Sequence, residues 1–172
     1  MPAPRLPSDD HSGATPGPTF RSLGVAAEIA EALEQAGMPT AFAIQELTLP
    51  IALRGDDLIG QARTGMGKTL GFGVPLLDRV FDDAGITELD GSVRGLVVVP
   101  TRGLCMQVAE DLTLAAANLV VPAKKHRVTV TPIYGGVGFN QQIRALNRGT
   151  DVVVGTPGRL LDLHRRGELE LS

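Results

Sequence analysis

Apolar residues follow a helical period over the front of the chain. From Val25 to Ala36 they recur every three to four positions, and Gly37 stands where such a helix would stop. A second short helix is predicted from near Ile44, with Pro50 bending or ending it. The pattern therefore predicts two helices ahead of the first strand.

Short apolar runs then alternate with helical stretches. The predicted strands are 57–61, 94–100, 127–134 and 151–156, and the predicted helices are 68–81, 104–119, 140–146 and 157–165. Strands that alternate with helices predict an α/β fold with a parallel sheet and helices on both faces. In such sheets ligands bind at the carboxyl ends of the strands, which is where we expect the chemistry.

The first residues of the chain show neither the helical period nor short apolar runs of strand type. Prolines recur there, at Pro2, Pro4, Pro7, Pro16 and Pro18. We predict a disordered Pro/Ser/Gly-rich tail over 1–19 and one domain over 20–172. The domain is long enough to bury a core. Since 43% of the chain is hydrophobic but only 3% aromatic, aliphatic side chains must build that core.

Composition argues against several classes of protein. No apolar run reaches the roughly 18–20 residues that span a bilayer, and no signal-peptide stretch opens the chain, so we expect no membrane partner. Cys105 is the single cysteine, which is typical of a cytoplasmic protein because it cannot form an internal disulfide. The net charge of −3 means that nucleic-acid binding would depend on local groups and not on a strongly basic domain.

A glycine-rich segment follows the first predicted strand. Residues 62–69 read Ala-Arg-Thr-Gly-Met-Gly-Lys-Thr and open the next predicted helix. Glycines let backbone N–H groups turn toward phosphate oxygens, and a helix N-terminus adds positive potential. In the pattern G-x-x-x-x-G-K-[ST], Lys68 reaches the β- and γ-phosphates and Thr69 ligates Mg²⁺. Ala62 takes the first glycine position, and the alternative is a glycine-rich turn with a chance GKT.

Four further segments accompany residues 62–69: Phe20 with 37–45 ahead of them, and 100–104, 134–136 and 156–159 after them. In chain order the five resemble the Q motif, motif I, motif Ia, the GG motif and motif Ib of DEAD-box ATP-dependent RNA helicases of superfamily 2. The resemblance runs from about residue 20 to the end and is most similar to bacterial members. It implies the front of the first RecA-like P-loop domain, with ATP and Mg²⁺ as cofactors and RNA as partner.

The resemblance implies a pocket for adenine. Gln45 would pair with adenine N6 and N7 and so select ATP over GTP; the alternative is a surface glutamine at a helix start. Phe20 would stack on the adenine face, or equally serve as a core anchor after the tail. The implied nucleotide-binding residues are Phe20, Gln45, Ala62, Arg63, Thr64, Gly65, Met66, Gly67, Lys68 and Thr69, with Thr69 as the Mg²⁺ ligand.

It also implies an RNA-binding edge. Hydroxyls, backbone N–H groups and guanidinium groups suit sequence-independent contacts with phosphate and ribose. The implied residues are Thr101, Arg102, Gly135, Gly136, Thr156, Gly158 and Arg159. The alternatives are ordinary backbone turns for the glycines and a surface charge at a helix start for Arg159.

The chain departs from the family pattern at several positions. Ala41 and Ala43 stand where the Q motif usually has proline, Met66 where Ser or Thr is usual, and Gly103 where motif Ia has Glu. The 172 residues contain no Asp-Glu-Ala-Asp segment, SAT motif or second domain. We therefore expect a domain truncated before the DEAD strand, without turnover of ATP, whose strand at 57–61 has lost its central neighbour.

Three functions fit these observations. The first is the family function, ATP-dependent RNA unwinding or remodelling of ribonucleoprotein, of which this chain carries the ATP- and RNA-binding front. The second is a catalytically inert fragment that binds nucleotide or RNA. The third is another P-loop ATPase such as a DNA translocase, against which Gln45 with Phe20 and the 156–159 segment argue.

Overall fold

The computed structural model describes residues 17–82, 92–121 and 126–170. After a 3₁₀ turn at Arg21–Leu23, the helices are α1 (Ala27–Gln35), α2 (Ala43–Ala52), α3 (Lys68–Asp82), α4 (Arg102–Ala115), α5 (Phe139–Asn147) and α6 (Pro157–Arg165). The strands are β1 (Gly95–Val98), β2 (Val120–Val121), β3 (His126–Arg127), β4 (Val130–Ile133) and β5 (Val152–Gly155). Each helix predicted from the periodicity is present, with its ends moved by a few residues. None of these described helices is long and apolar enough to cross a membrane.

A parallel sheet of three strands, in the order β1-β5-β4, lies at the centre. In its register Val97 of β1 and Pro132 of β4 both lie opposite Val154 of β5. Pro132 has no N–H to donate, and it is tolerated because β4 is the outer strand of this sheet. Parallel strands joined through helices confirm the predicted α/β class.

Helices cover both faces of this sheet. Val154 lies in a core cluster with Leu77 of α3 and Leu112 of α4, whereas the neighbouring Val153 lies in a second cluster with Leu163 of α6. Successive residues of a strand point to opposite faces, so β5 supplies both cores. The clusters are built almost wholly from Val, Leu, Ile and Ala, as the scarcity of aromatic residues predicted.

The strand predicted at 127–134 is divided in two. β3 pairs antiparallel with β2, while β4 joins the parallel sheet. The backbone N–H of Thr129, between them, donates to Oδ2 of Asp151 at 2.8 Å, and the Thr129 hydroxyl donates to the same oxygen at 2.9 Å. A side chain therefore replaces the strand partner at this point, which the apolar pattern could not indicate.

The strand predicted at 57–61 is not formed. Its residues have no strand pairing, and the Ile59 side chain is fully exposed at 103%. Within the described sheet β1 pairs only with β5, so its other edge is also open. An extended segment becomes a strand when a neighbour takes up its backbone hydrogen bonds, and no described strand lies beside 57–61.

The first described residues belong to the domain. The N–H of Ala41 donates to the carbonyl of Pro18 at 2.8 Å, and Thr19 forms a bridge with Thr40. The predicted disordered tail thus does not extend to residue 19, because this pairing ties 18 and 19 to the entry of α2. Residues 1–16 of the predicted tail lie outside the described residues.

Candidate nucleotide-binding site

Gln45 joins the start of α2 to the glycine-rich loop. Its side chain is buried, its Oε1 accepts from the N–H of Phe42 at 2.9 Å, and its Nε2 donates to the carbonyl of Gly67 at 2.8 Å. Phe42 is the N-cap of α2 but has no side-chain oxygen, so Gln45 supplies an acceptor for one N–H that the helix start leaves open. The alternative of a surface glutamine is therefore excluded.

The loop is shaped by two glycines in the left-handed region. Gly65 has φ of 82° and Gly67 has φ of 77°. A Cβ on Gly67 would also lie 2.6 Å from Cδ2 of Phe42, whereas a Cβ on Gly65 would meet open space. Helix α3 begins at the next residue, Lys68, so the loop and a helix N-terminus lie together as the sequence predicted.

Lys68 is bonded to its own loop. Its Nζ donates to the carbonyl oxygens of Ala62 at 2.6 Å and Arg63 at 2.8 Å. An ammonium group has three donors and no acceptor, so a phosphate oxygen can take the remaining donor or displace one of these carbonyls. The side chain is exposed, which leaves it free to change partners.

Thr69 is paired with an acid that no motif indicated. Its side chain hydrogen-bonds Asp111 of α4. Burial raises the pKa of Asp111 above its ordinary value, the hydrogen bond from Thr69 opposes that rise, and the charge of Glu110 adds to it. Asp111 was not predicted from the sequence, because its contact with Thr69 depends on how α4 packs on α3. The only indication in the sequence was the position of Asp111 along the predicted helix.

A cavity of about 310 Å³ opens between the loop and helices α2 and α4. Phe42 and Gln45 line one side, Lys68 and Thr69 the loop side, and Asp111 the side of α4. This volume is at the small end of ligand pockets. The structure thus brings Gln45 to one cavity with the predicted loop residues Thr64, Gly65, Gly67, Lys68 and Thr69, with groups suited to a base at one side and to phosphates at the other. The other predicted loop residues, Ala62, Arg63 and Met66, do not line this cavity.

Mg²⁺ usually takes one or two carboxylates together with phosphate oxygens and waters. Thr69 and Asp111 offer a hydroxyl and a carboxylate at the cavity, and the described residues contain no group of three His, Cys, Asp or Glu that could hold a metal. These groups fit a cation that arrives with nucleotide phosphates and do not form a metal cage of their own.

Phe20 does not line this cavity. Its ring is 2% exposed and lies in the core cluster. Of the two roles left open by the sequence, the structure shows the core anchor, since no face of the ring is free to stack on a base. Phe42 lies in the Q-motif segment 37–45, where the resemblance implied no role for it; it is 53% exposed and is the aromatic ring that lines the cavity.

The residues that follow β1 and β4 come together at the carboxyl ends of these strands, the edge predicted to bind RNA. Thr101 caps α4 by accepting from the N–H of Leu104 at 3.3 Å. The Arg102 guanidinium lies 4.8 Å from the ring centroid of Tyr134, and Gly136 lies beside that guanidinium. Gly135 and Gly158 have open space where a Cβ would be, which leaves their backbones approachable. Contact of this edge with RNA stays a prediction.

Arg159 is a buried brace. Nη1 donates to Oε1 of Gln142 at 2.9 Å, Nη2 donates to the carbonyl of Val137 at 2.8 Å, and the guanidinium lies 4.1 Å from the centroid of Phe139. Gln142 in turn donates to the carbonyl of Tyr134 at 3.0 Å. The alternative of a surface charge is excluded, because the side chain is enclosed and holds the loop after β4. A contact of Arg159 with RNA stays a prediction. Thr156, which precedes Arg159 in the chain, is the N-cap of α6.

A sequence model described as "DEAD/DEAH box helicase" matches residues 42–171. The chain belongs to this family. It is 45% identical over 154 residues to "DEAD-box ATP-dependent RNA helicase CshA" of Bacillus cereus (strain ATCC 10987 / NRS 248), covering 90% of this chain and 27% of that protein. It is 40% identical over 161 residues to "DEAD-box ATP-dependent RNA helicase 9, mitochondrial" of Arabidopsis thaliana, covering 94% and 25%. The chain therefore spans about a quarter of the length of these helicases.

Solved structures of the helicase family share the fold. A DEAD box protein from Methanococcus jannaschii matches with a TM-score of 0.72 at 32% identity, covering 89% of this chain and 38% of that chain. A hypothetical ATP-dependent RNA helicase from Sulfolobus tokodaii matches with a TM-score of 0.66 at 32% identity, covering 83% and 37%. The predicted RecA-like helicase fold and the resemblance to bacterial DEAD-box members are confirmed.

Proposed function

We propose that the described part of this helicase binds ATP in the cavity beside α2 and the glycine-rich loop. One observation carries the proposal: Gln45, the residue suited to adenine, is hydrogen-bonded to Gly67 of the loop suited to phosphates. The amide of Gln45 has one donor and one acceptor side, which matches adenine N7 and N6 and mismatches the edge of guanine.

At the phosphate end, Lys68 exchanges its bonds with Ala62 and Arg63 for bonds to phosphate oxygens. Backbone N–H groups of the loop and the start of α3 add positive potential there. Thr69 and Asp111 would hold a Mg²⁺ ion through their oxygens, and that ion would neutralise phosphate charge. Each of these roles uses a group that already faces the cavity.

The edge at the carboxyl ends of β1 and β4 is proposed to hold an RNA strand through its backbone. Thr101 and Arg102 are exposed, and Gly135, Gly136 and Gly158 are open to approach. Such groups bind phosphate and ribose without reading base sequence. Arg159 supports this edge from beneath by holding Gln142 and the carbonyl of Val137.

For the whole protein we propose ATP-dependent unwinding of RNA or remodelling of ribonucleoprotein, in the cytoplasm. The names of its relatives as ATP-dependent RNA helicases support the proposed activity. Phosphoryl transfer depends on positioning and on stabilisation of charge. No Asp-Glu-Ala-Asp segment occurs in the 172 residues, so this polypeptide alone is proposed to bind nucleotide without turnover. The relation to the helicase family leaves no separate support for a DNA translocase.

Titration calorimetry with ATP, GTP and Mg²⁺ tests the proposed site. ATP is expected to bind more tightly than GTP, and Lys68→Ala is expected to abolish most of the binding. Lys68 is exposed, so this variant keeps the fold. Equal affinity for GTP would contradict the role of Gln45. A separate assay of phosphate release with and without RNA is expected to show no turnover, and measurable RNA-stimulated hydrolysis would contradict the proposal that this polypeptide is inert.

A further inference from the structure

Phe42 occupies a position that helix chemistry does not favour for it. It is the N-cap of α2 and forms no side-chain cap, whereas Ser, Thr, Asp and Asn are strongly preferred there. Replacing such a capping residue by one without an oxygen costs about 1 kcal/mol. Part of that loss is offset because Gln45 accepts from the Phe42 N–H. Helix stability therefore does not account for an aromatic residue here.

Burial does not account for it either. The side chain of Phe42 is 53% exposed and belongs to neither core cluster. Fully burying such a ring would contribute about 1.5–3 kcal/mol, and about half of that contribution is absent here. A half-exposed ring that caps no helix and belongs to neither core cluster is a candidate for contact with a ligand.

The ring nevertheless packs against the glycine-rich loop. A Cβ on Gly67 would come within 2.6 Å of Cδ2 of Phe42, and closer still to Nε2 of Gln45. Gln45 bonds both the Phe42 backbone and the Gly67 carbonyl, so the ring, the amide and the loop form one unit. All three line the cavity of about 310 Å³ that also contains Lys68 and Thr69.

We propose that Phe42 stacks on the nucleobase of the bound nucleotide. This rests on the proposed function and extends it, because it assigns the base contact to Phe42, for which the resemblance implied no role, and removes it from the buried Phe20. The ligand is a purine nucleotide whose edge meets the Gln45 amide while one of its faces meets the ring of Phe42. An aromatic ring and a base prefer this offset stacked arrangement.

Three substitutions test the stack, with ATP and inorganic tripolyphosphate as probes, the second lacking a base. Phe42→Ala is expected to weaken ATP about 10-fold, in line with the loss of one stacked base, and to leave tripolyphosphate unchanged. Phe42→Leu is expected to remain weak because it restores apolar area without the π-face. The chain has no tryptophan, so Phe42→Trp introduces a single one. Its fluorescence is expected to be quenched by ATP but not by tripolyphosphate.

Leu47→Ala is the matched control. Leu47 lies on the same helix, is 67% exposed and does not line the cavity, so ATP affinity should not change. The stack is refuted if Phe42→Ala weakens both probes alike, if Phe42→Leu binds ATP as the wild type does, or if Phe42→Trp shows no quenching. Absence of ATP binding by the wild-type chain would overturn the proposed site itself, together with the stack. If the wild-type chain binds ATP and Phe42→Ala binds it with the same affinity, the stack alone is overturned.

Discussion

Gln45 donates to the carbonyl of Gly67 across 2.8 Å, and the other end of the same amide holds the Phe42 N–H. One N–H and one lone pair of the amide are therefore engaged by the protein, and one of each remains for a base. A base that bonds to the remaining N–H and lone pair is connected through the same amide to Gly67 and Phe42, so recognition of the base and the shape of the phosphate loop are linked. The following predictions test this linkage and the supports around it.

Gln45→Ala removes both bonds of the amide. We expect the free energy of unfolding to fall by about 1–3 kcal/mol without any nucleotide present, since two hydrogen bonds of a buried side chain are lost and each contributes about 0.5–1.5 kcal/mol. Preference for ATP over GTP should disappear in the same variant. Urea unfolding and nucleotide titration measure the two effects. Gln35→Ala, at an exposed end of α1, is the control and should change neither quantity. An unchanged stability of Gln45→Ala would show that the bonds to the loop contribute nothing.

Gly67→Ala and Gly65→Ala separate steric overlap from backbone strain. Both residues have positive φ, and a left-handed residue other than glycine costs roughly 1–2 kcal/mol at either site. Only Gly67→Ala also forces Phe42 and Gln45 aside. We therefore expect it to lower stability by about 1 kcal/mol or more beyond Gly65→Ala. Comparison of thermal unfolding curves tests this, and equal losses at the two sites would show that the ring of Phe42 yields without penalty.

Arg159→Ala removes two charge-assisted hydrogen bonds from a buried position. The expected loss of unfolding free energy is about 2–3 kcal/mol, because Gln142 and the Val137 carbonyl lose their donor. Arg165→Ala, exposed on the same helix, should stay within about 0.5 kcal/mol of wild type. Chemical unfolding and RNA binding are measured on both variants. A loss of RNA affinity at unchanged stability would assign Arg159 to RNA contact and not to bracing.

Cys105 makes stability fall at alkaline pH. Burial raises the pKa of its thiol above the ordinary 9.0, and Sγ lies 3.0 Å from the Val154 carbonyl, which it faces as donor. Between the pKa of the unfolded chain and the higher pKa of the folded state, the folded protein keeps the thiol proton that the unfolded chain has lost. The stabilisation is therefore complete below pH 9.0 and is lost as the pH rises through the folded pKa. Urea unfolding between pH 7 and about pH 10.5 is expected to show a shallower decline in Cys105→Ala. Identical slopes in the two proteins would contradict the shift.

Ile59→Thr should improve solubility at no loss of stability. Because Ile59 is fully exposed in this structure, the free energy of unfolding is expected to change by less than about 0.5 kcal/mol. Removing an exposed apolar residue from an unpaired extended segment should reduce aggregation. Ile29→Thr, at a fully buried position, is the contrast and should cost about 2 kcal/mol or more. Light scattering and urea unfolding provide the readouts. A large destabilisation by Ile59→Thr would mean that 57–61 is packed in solution.

Much of the fold was predictable because helices α1 to α6 are specified by apolar periods between near neighbours in the chain. The identity of the family was predictable for a related reason, since its motifs keep their residue types, order and spacing. Strand formation was less predictable. A segment such as 57–61 has a strand-like composition, but its hydrogen bonds need a partner from elsewhere in the chain.

The sequence by itself determined the helices, the glycine-rich loop before α3 and the family. Only the tertiary structure decided which aromatic ring is free: Phe20 is buried by the packing of several elements, and Phe42 is left at the cavity. It likewise placed Asp111 beside Thr69 and enclosed Arg159. Burial and side-chain pairing depend on residues that are distant in the chain. A local sequence pattern therefore cannot predict them.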